Sequence, residues 1–197
     1  MEPFTVHRGR AVPLRRSNID TDQIIPSDYL KRVSRTGFGE GLFREWRSAG
    51  KFIMDSPPYS GASVLLTGPD FGTGSSREHA VWALQDAGFR VVISARFADI
   101  FRGNALKAGL LAVQLPSAQV EKLMTAVEAD PQLLLTVDLD LREVGTATES
   151  YPFTLENSAR HRLLHGLDDI ASTLLLAEDI RNYETNRPTW LPRTRPA

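Results

Sequence analysis

"GPDFGTGSSREHAVWALQDAG", residues 68–88, sets two serines, an arginine, a glutamate and a histidine directly behind a glycine-spaced turn. The overlapping run before it, "SVLLTGP", is a short apolar stretch closed by turn residues and reads as a buried strand. The run after it, "SREHAVWALQDAG", reads as a helix. Ala80, Ala83, Leu84 and Ala87 form its apolar face, and Gly88 is its stop. Ser75, Ser76, Arg77, Glu78 and His79 therefore stand where a strand hands over to a helix, a common place for a ligand in an α/β protein.

Working outward, the same alternation continues. "RVVISA" is a strand, "FADIFRGNALKAG" helical, "LLAVQLP" a strand, and "SAQVEKLMTAVEAD" a helix with Ser117 as its N-cap. Val91, Val92 and Ile93 are continuously apolar, as in a sheet covered on both faces. A strand over Phe4 to Leu14 precedes this block, and "LLLTVDLDL" and "SYPFTL" add strands after it. "LFREWRSA", "ENSARHRLLHG" and "LDDIASTLLLAEDIRNYETNRP" are helical. No linker, repeat or low-complexity block interrupts the chain. The expectation is one α/β domain over residues 1–197, with a Pro- and Arg-rich tail from 187 that is loosely held.

The 197 residues carry a net charge of −1, which selects neither nucleic acid nor a membrane surface. The charge is uneven: up to Lys51 there are 10 basic and 6 acidic residues, and the remainder has 13 and 18. The absence of cysteine excludes disulfides, a thiol nucleophile and any cluster ligated by this chain's own thiolates, and it fits a reducing, cytoplasmic setting. His161 and His165 are spaced i, i+4, but Arg160 and Arg162 beside them would repel a cation, so no metal site is expected. No apolar run reaches membrane-spanning length, and the first residues lack the apolar core of a signal peptide.

Two readings compete at the serine pair. Ser75 with Glu78 is S-x-x-E, a capping box, which would make both residues structural. In that register Arg77 falls at the second helical position, where the macrodipole disfavours a cation unless an anion sits beside it. Gly72 and Gly74 allow the backbone to approach a ligand closely. Together they form a cradle for a carboxylate or phosphate. The spacing lacks the Gly-Lys-Ser/Thr ending of a P-loop and is not G-x-G-x-x-G.

The string "GTGSSREHA", followed by "VVISARFADIFRGNALKAGLL", resembles the swivelling domain of the aconitase superfamily. "NIDTDQIIPSDYLK" upstream and "GLDDIASTLLLAEDIRNYE" downstream are similar to the bacterial family of 3-isopropylmalate dehydratase small subunits, over about Phe4 to Pro192. The resemblance implies a swivelling domain with a central mixed or barrel-like sheet flanked by helices. It implies a hydro-lyase of leucine biosynthesis that interconverts 2- and 3-isopropylmalate. Ser75 would act as base. Arg77, with Ser76, would bind a substrate carboxylate. Asp22, Gly74, Glu78 and His79 would support the site. A 4Fe–4S cluster would polarise the departing hydroxyl, and with no cysteine here it would sit on a large partner subunit.

The segment "DTDQIIPSDYLKRVSRTGFG" extends this reading. Asp22 matches the aspartate of the family's T-D-x-I string and is expected to hydrogen-bond within the site, with a histidine of the partner as one candidate. As plain structure, Asp20 and Asp22 would form Asx turns beside Asn18. Tyr29, Leu30, Lys31 and Arg32 occupy the stretch that meets the substrate's variable group. Leu30 against an isopropyl group would contribute roughly 1.5–3 kcal/mol, whereas Lys31 and Arg32 leave room for a further carboxylate. Gly37, Phe38, Gly39 and Gly41 suggest a loop able to close over substrate. Two alternatives stay open: a related hydro-lyase of the homoaconitase, citramalate or maleate type, and a non-catalytic anion-binding domain.

Overall fold

The computed structural model describes residues 1–31 and 36–192. Arg32 and Arg35 therefore lie outside the described residues, as does the end of the tail. The chain builds a seven-stranded sheet in the order β6-β5-β3-β1-β7-β8-β9. Its strands are β1 (Val6–Leu14), β3 (Val64–Thr67), β5 (Val91–Ser94), β6 (Leu111–Gln114), β7 (Leu134–Asp138), β8 (Glu143–Gly145) and β9 (Ser150–Pro152). β1, β3, β5 and β6 pair in parallel, and β1, β7, β8 and β9 continue the sheet antiparallel. The expected mixed sheet flanked by helices is what the chain forms.

Side chains alternate between the two faces, and this explains why the parallel strands are apolar throughout. Val12, Leu65, Val92 and Ala112 enter one core. Ala11, Val64, Leu66, Val91, Ile93, Leu111 and Val113 enter the other. The first core is covered by α3 (Glu78–Asp86), α4 (Asp99–Ala108) and the aromatic groups Phe38, Phe43 and Phe71. The second is covered by α5 (Ser117–Ala129), through Val120, Leu123, Met124 and Val127, and by α6 (Asn157–His165), through Ala159 and Leu163. Ser117 proves to be the first residue of α5, not its cap: Pro116 occupies that place and no side chain caps the helix. A proline at the cap fixes φ at the helix entry, so the hydroxyl is not needed there.

Two more pieces position the site. β2 (Ile19–Asp20) pairs in parallel with β4 (Phe71–Thr73), Ile19 beside Phe71 and Asp20 beside Thr73. The single turn α1 (Thr21–Ile24) follows β2. After α6, α7 (Asp169–Leu174) and α8 (Ala177–Asn186) complete the described chain. The short helix α2 (Arg44–Ser48) lies between.

Candidate active site at the ends of the parallel strands

The site lies beyond the carboxyl ends of β1 and β3, where open parallel sheets present ligands. The chain leaves β1 into β2 and leaves β3 into β4, and the parallel pairing of β2 with β4 carries both segments forward together. Asp20 lies beside Thr73. One step on, the Thr21 hydroxyl donates to the carbonyl of Ser75 at 3.2 Å. One step further, the Arg77 guanidinium pairs with the Asp22 carboxylate. Residues more than fifty positions apart thus interlock in order.

Local chemistry explains why the first strand stops and turns here. Asp20 is the N-cap of α1: its carboxylate accepts from the Gln23 backbone N–H at 2.7 Å, and the Gln23 side chain accepts from the Asp20 N–H at 3.0 Å. This is a capping box, in the D-x-x-Q spacing of residues 20–23. It replaces the expected Asx turns, and it commits Asp20 to structure.

The capping box expected at Ser75 and Glu78 does not form. α3 begins at Glu78, and its N-cap is Arg77, extended at φ −115° and ψ 108°, with no side-chain cap. The physical reason lies in the preceding turn. Gly74 has φ +87°, and the Arg77 N–H bonds to the Ser75 carbonyl at 2.9 Å. This tight turn puts Ser75 and Ser76 ahead of the helix, and both are exposed. Arg77 is therefore not at the second helical position, yet it still borders the positive end of α3. Among the described residues the side chains of Ser75, Ser76 and Glu78 have no hydrogen-bond partner.

Arg77 is mostly covered, with 18% of its side chain exposed, whereas Asp22 is 56% exposed. Asp22 takes one guanidinium nitrogen, and the rest of the five-donor fork has no partner among the described residues. Asp22 thus hydrogen-bonds with a residue of this chain, Arg77. Gly72, in β4 with φ +80°, lets the turn pass over α4: a Cβ there would overlap the Phe101 ring. The His79 ring packs against Phe38 at 5.3 Å and Trp82 at 4.7 Å between ring centroids.

The upstream segment departs from expectation in two places. Tyr29 is 8% exposed, in the core, and its hydroxyl takes a 2.6 Å hydrogen bond from Arg44. Its ring packs in the core, and with Asp28, Glu40 and Arg44 it also lines a pocket at the surface. Gly39 and Gly41 are packing positions more than hinges: a Cβ on Gly39 would press on the backbone of Asp86 and Ala87 at 3.0 Å, and one on Gly41 would press on the Tyr29 ring at 2.9 Å. Phe38 is fully buried, and its N–H bonds to the Asp86 carboxylate at 2.8 Å, which ties the segment to α3. Leu30 is half-buried. Lys31 is exposed and faces Asp28 at 3.8 Å. No hydrogen bond or ion pair among the described residues joins Leu30 or Lys31 to Ser75–Arg77.

The sequence has no cysteine, and no three His, Asp or Glu residues among those described are grouped to hold an ion. His165 bonds through a ring nitrogen to the His161 carbonyl at 2.8 Å. No helix among the described residues is long and apolar enough to cross a membrane.

A family model, the aconitase C-terminal domain, matches residues 1–118. The 3-isopropylmalate dehydratase small subunit of Frankia alni is 63% identical over 192 residues, covering 98% of both chains. That of Acidothermus cellulolyticus is 62% identical over 195 residues, covering 99% of both. That of a Mycobacterium species (strain KMS) is 58% identical over 196 residues, covering 100% of both. A crystal structure of a 3-isopropylmalate dehydratase from Methanocaldococcus jannaschii superposes with a TM-score of 0.67 at 24% identity, over 91% of this chain and 99% of that one, and establishes the likeness of fold.

Proposed function

Because the chain belongs to the 3-isopropylmalate dehydratase small subunits, within the aconitase C-terminal domain family, we propose that it forms one wall of that hydro-lyase's active site and that Ser75 handles the proton. The reaction interconverts 2-isopropylmalate and 3-isopropylmalate through the alkene 2-isopropylmaleate. Each half removes or returns a proton on a carbon next to a carboxylate and a hydroxide on its neighbour.

One observation carries the reading: an exposed serine hydroxyl with no partner among the described residues stands two residues from an arginine already aimed by Asp22. A carboxylate on the free part of the Arg77 fork holds the acidic carbon over Ser75. As the proton leaves, charge moves onto that carboxylate. Arg77 and the first-turn N–H groups of α3, which lack intrahelical partners, are already in place to stabilise it. A serine hydroxyl is a weak acid, so the same positive groups must also lower the cost of its alkoxide. In hydration Ser75 returns the proton. Ser76 supplies backbone and hydroxyl donors at the same carboxylate.

The departing hydroxide needs a Lewis acid. We assign the 4Fe–4S cluster to a large partner subunit, because this chain offers no thiolate to hold it. Leu30 and Lys31, on the turn after α1, are proposed to face the substrate's branched hydrocarbon and its rim once that subunit closes the site. Arg32 belongs to the same proposal.

The test is reconstitution. The chain is mixed anaerobically with a cluster-bearing large subunit, and the alkene absorbance is followed with 2-isopropylmalate and with homocitrate. Turnover of 2-isopropylmalate that needs both chains supports the reading. Preference for homocitrate overturns the substrate, and binding of either acid without turnover overturns the enzyme.

A further inference from the structure

Seven of the eleven large apolar residues that the described chain exposes fall between residues 170 and 190: Ile170, Leu174, Leu175, Leu176, Ile180, Tyr183 and Trp190. Each is 40–80% exposed. They lie on α7 and α8 and just beyond, and no residue of either helix is buried. Ile170 and Leu174 are spaced i, i+4, and Leu176, Ile180 and Tyr183 are spaced i, i+4, i+7, so each helix gathers its apolar groups on one side. Contiguous exposed apolar groups of this kind mark interaction surfaces.

We infer that α7 and α8 are a docking arm, and that their apolar side seats in a groove on the cluster-bearing large subunit, edged with lysine or arginine. This rests on the two-chain reading above and goes beyond it, because the arm lies outside the serine site. Three observations choose the occupant. The first is continuity with the face that the other chain must cover. A groove of about 540 Å³ at the root of the arm is walled by Asp168, Asp169 and Ile170 on one side and by Glu78 and Trp82 of α3 on the other. Glu78 is three residues from Ser75, so a subunit closing the serine site reaches the root of the arm. The second is charge. α8 carries Glu178, Asp179 and Glu184 against Arg181 alone. A second copy would set like charge against like, whereas a basic-edged groove complements it. The third is that the family model ends at residue 118, while the small-subunit relatives match 98–100% of this chain, arm included.

The test uses the full chain carrying Leu174→Ser, Ile180→Ser and Tyr183→Ser. Its affinity for the large subunit is measured by titration calorimetry, and the lone chain is followed by thermal melting and sedimentation. The expected result is binding at least 30-fold weaker than wild type, with the lone chain's melting temperature unchanged. A conservative Ile180→Met chain is expected to bind as wild type does. Undiminished binding by the triple variant overturns the inference. So does a lowered melting temperature of the lone variant, because the arm would then be packing on its own core. A wild-type dimer that the variant converts to monomer overturns it in favour of a second copy. Failure of the wild-type chain to bind any large subunit overturns the two-chain reading itself, and the arm's assignment with it.

Discussion

The hydroxyl of Thr21 donates a hydrogen bond to the backbone carbonyl of Ser75 across 54 residues of sequence, and Thr21 is 1% exposed. Behind the exposed serine stands a buried donor that fixes the turn on which it sits. Replacing Thr21 with valine keeps the shape and deletes the bond, at a cost of about 0.5–1.5 kcal/mol plus an unsatisfied carbonyl. The expected outcome in the reconstituted enzyme is kcat lowered roughly 3- to 30-fold with KM little changed. Thr21→Ser restores the rate. Steady-state kinetics of the two variants separate this positioning role from a loss of fold, which would not be rescued.

The pairing of Asp22 with Arg77 predicts effects on binding more than on chemistry. Asp22→Asn leaves the guanidinium less firmly aimed, and KM should rise several-fold. Arg77→Lys removes the fork and its charge-assisted bonds, worth about 1.5–3 kcal/mol, so kcat/KM should fall roughly 10- to 150-fold. The combined variant should lose less than the product of the two, because the residues act as one unit. Equal and independent losses would contradict the pairing.

Gly72 carries a prediction about stability alone. Gly72→Ala meets a positive φ and the Phe101 ring together. We expect a loss of about 2–4 kcal/mol and a melting temperature lower by roughly 5–15 °C, read by calorimetry on the lone chain. Gly88 also has positive φ, but a Cβ there meets nothing within 4 Å. Gly88→Ala should therefore cost less.

His7 makes stability depend on mild acid. Burial and the nearby charge of Arg90 hold its pKa below the ordinary imidazole value. As pH falls below the usual ~6.5, the unfolded chain takes up a proton that the folded chain resists, so stability declines until the lowered folded value is passed. His7 shares a 2.8 Å hydrogen bond with Ser63, so His7→Gln should flatten the pH dependence in that window without changing its sign elsewhere. Denaturant unfolding between pH 7 and pH 5 measures it.

Much of this molecule is legible in its sequence where one physical signal dominates. The runs at 63–69, 90–95 and 110–116 are apolar on both faces because helices cover both faces, and turn residues bound them sharply. The serine pair stands out in the sequence as a candidate site because Gly72 and Gly74 sit directly before it. Other features depend on partners far away in sequence. β2 and β4, of two and three residues, are too short for any periodicity. The capping box at Asp20 with Gln23 lies outside the Asx-turn reading of this segment, because its D-x-x-Q spacing is local but weak beside the turn-prone Asn18 and Asp20. Nothing in the run around Leu30 and Lys31 marks Tyr29 as a packing residue; its contact with Gly41 and its bond to Arg44 come from segments later in the chain. S-x-x-E at Ser75 reads as a cap, and the left-handed Gly74 moves the helix start two residues on.

The measurement that bears most directly on the account is turnover by the Ser75→Ala chain assembled with the large subunit, with 2-isopropylmalate as substrate and complex formation checked in the same sample. Removal of a general base costs about 10²- to 10⁴-fold. The account predicts a loss of that size, in both dehydration and hydration, with substrate affinity and subunit association retained. Turnover within a few-fold of wild type would contradict the assignment of the proton to Ser75.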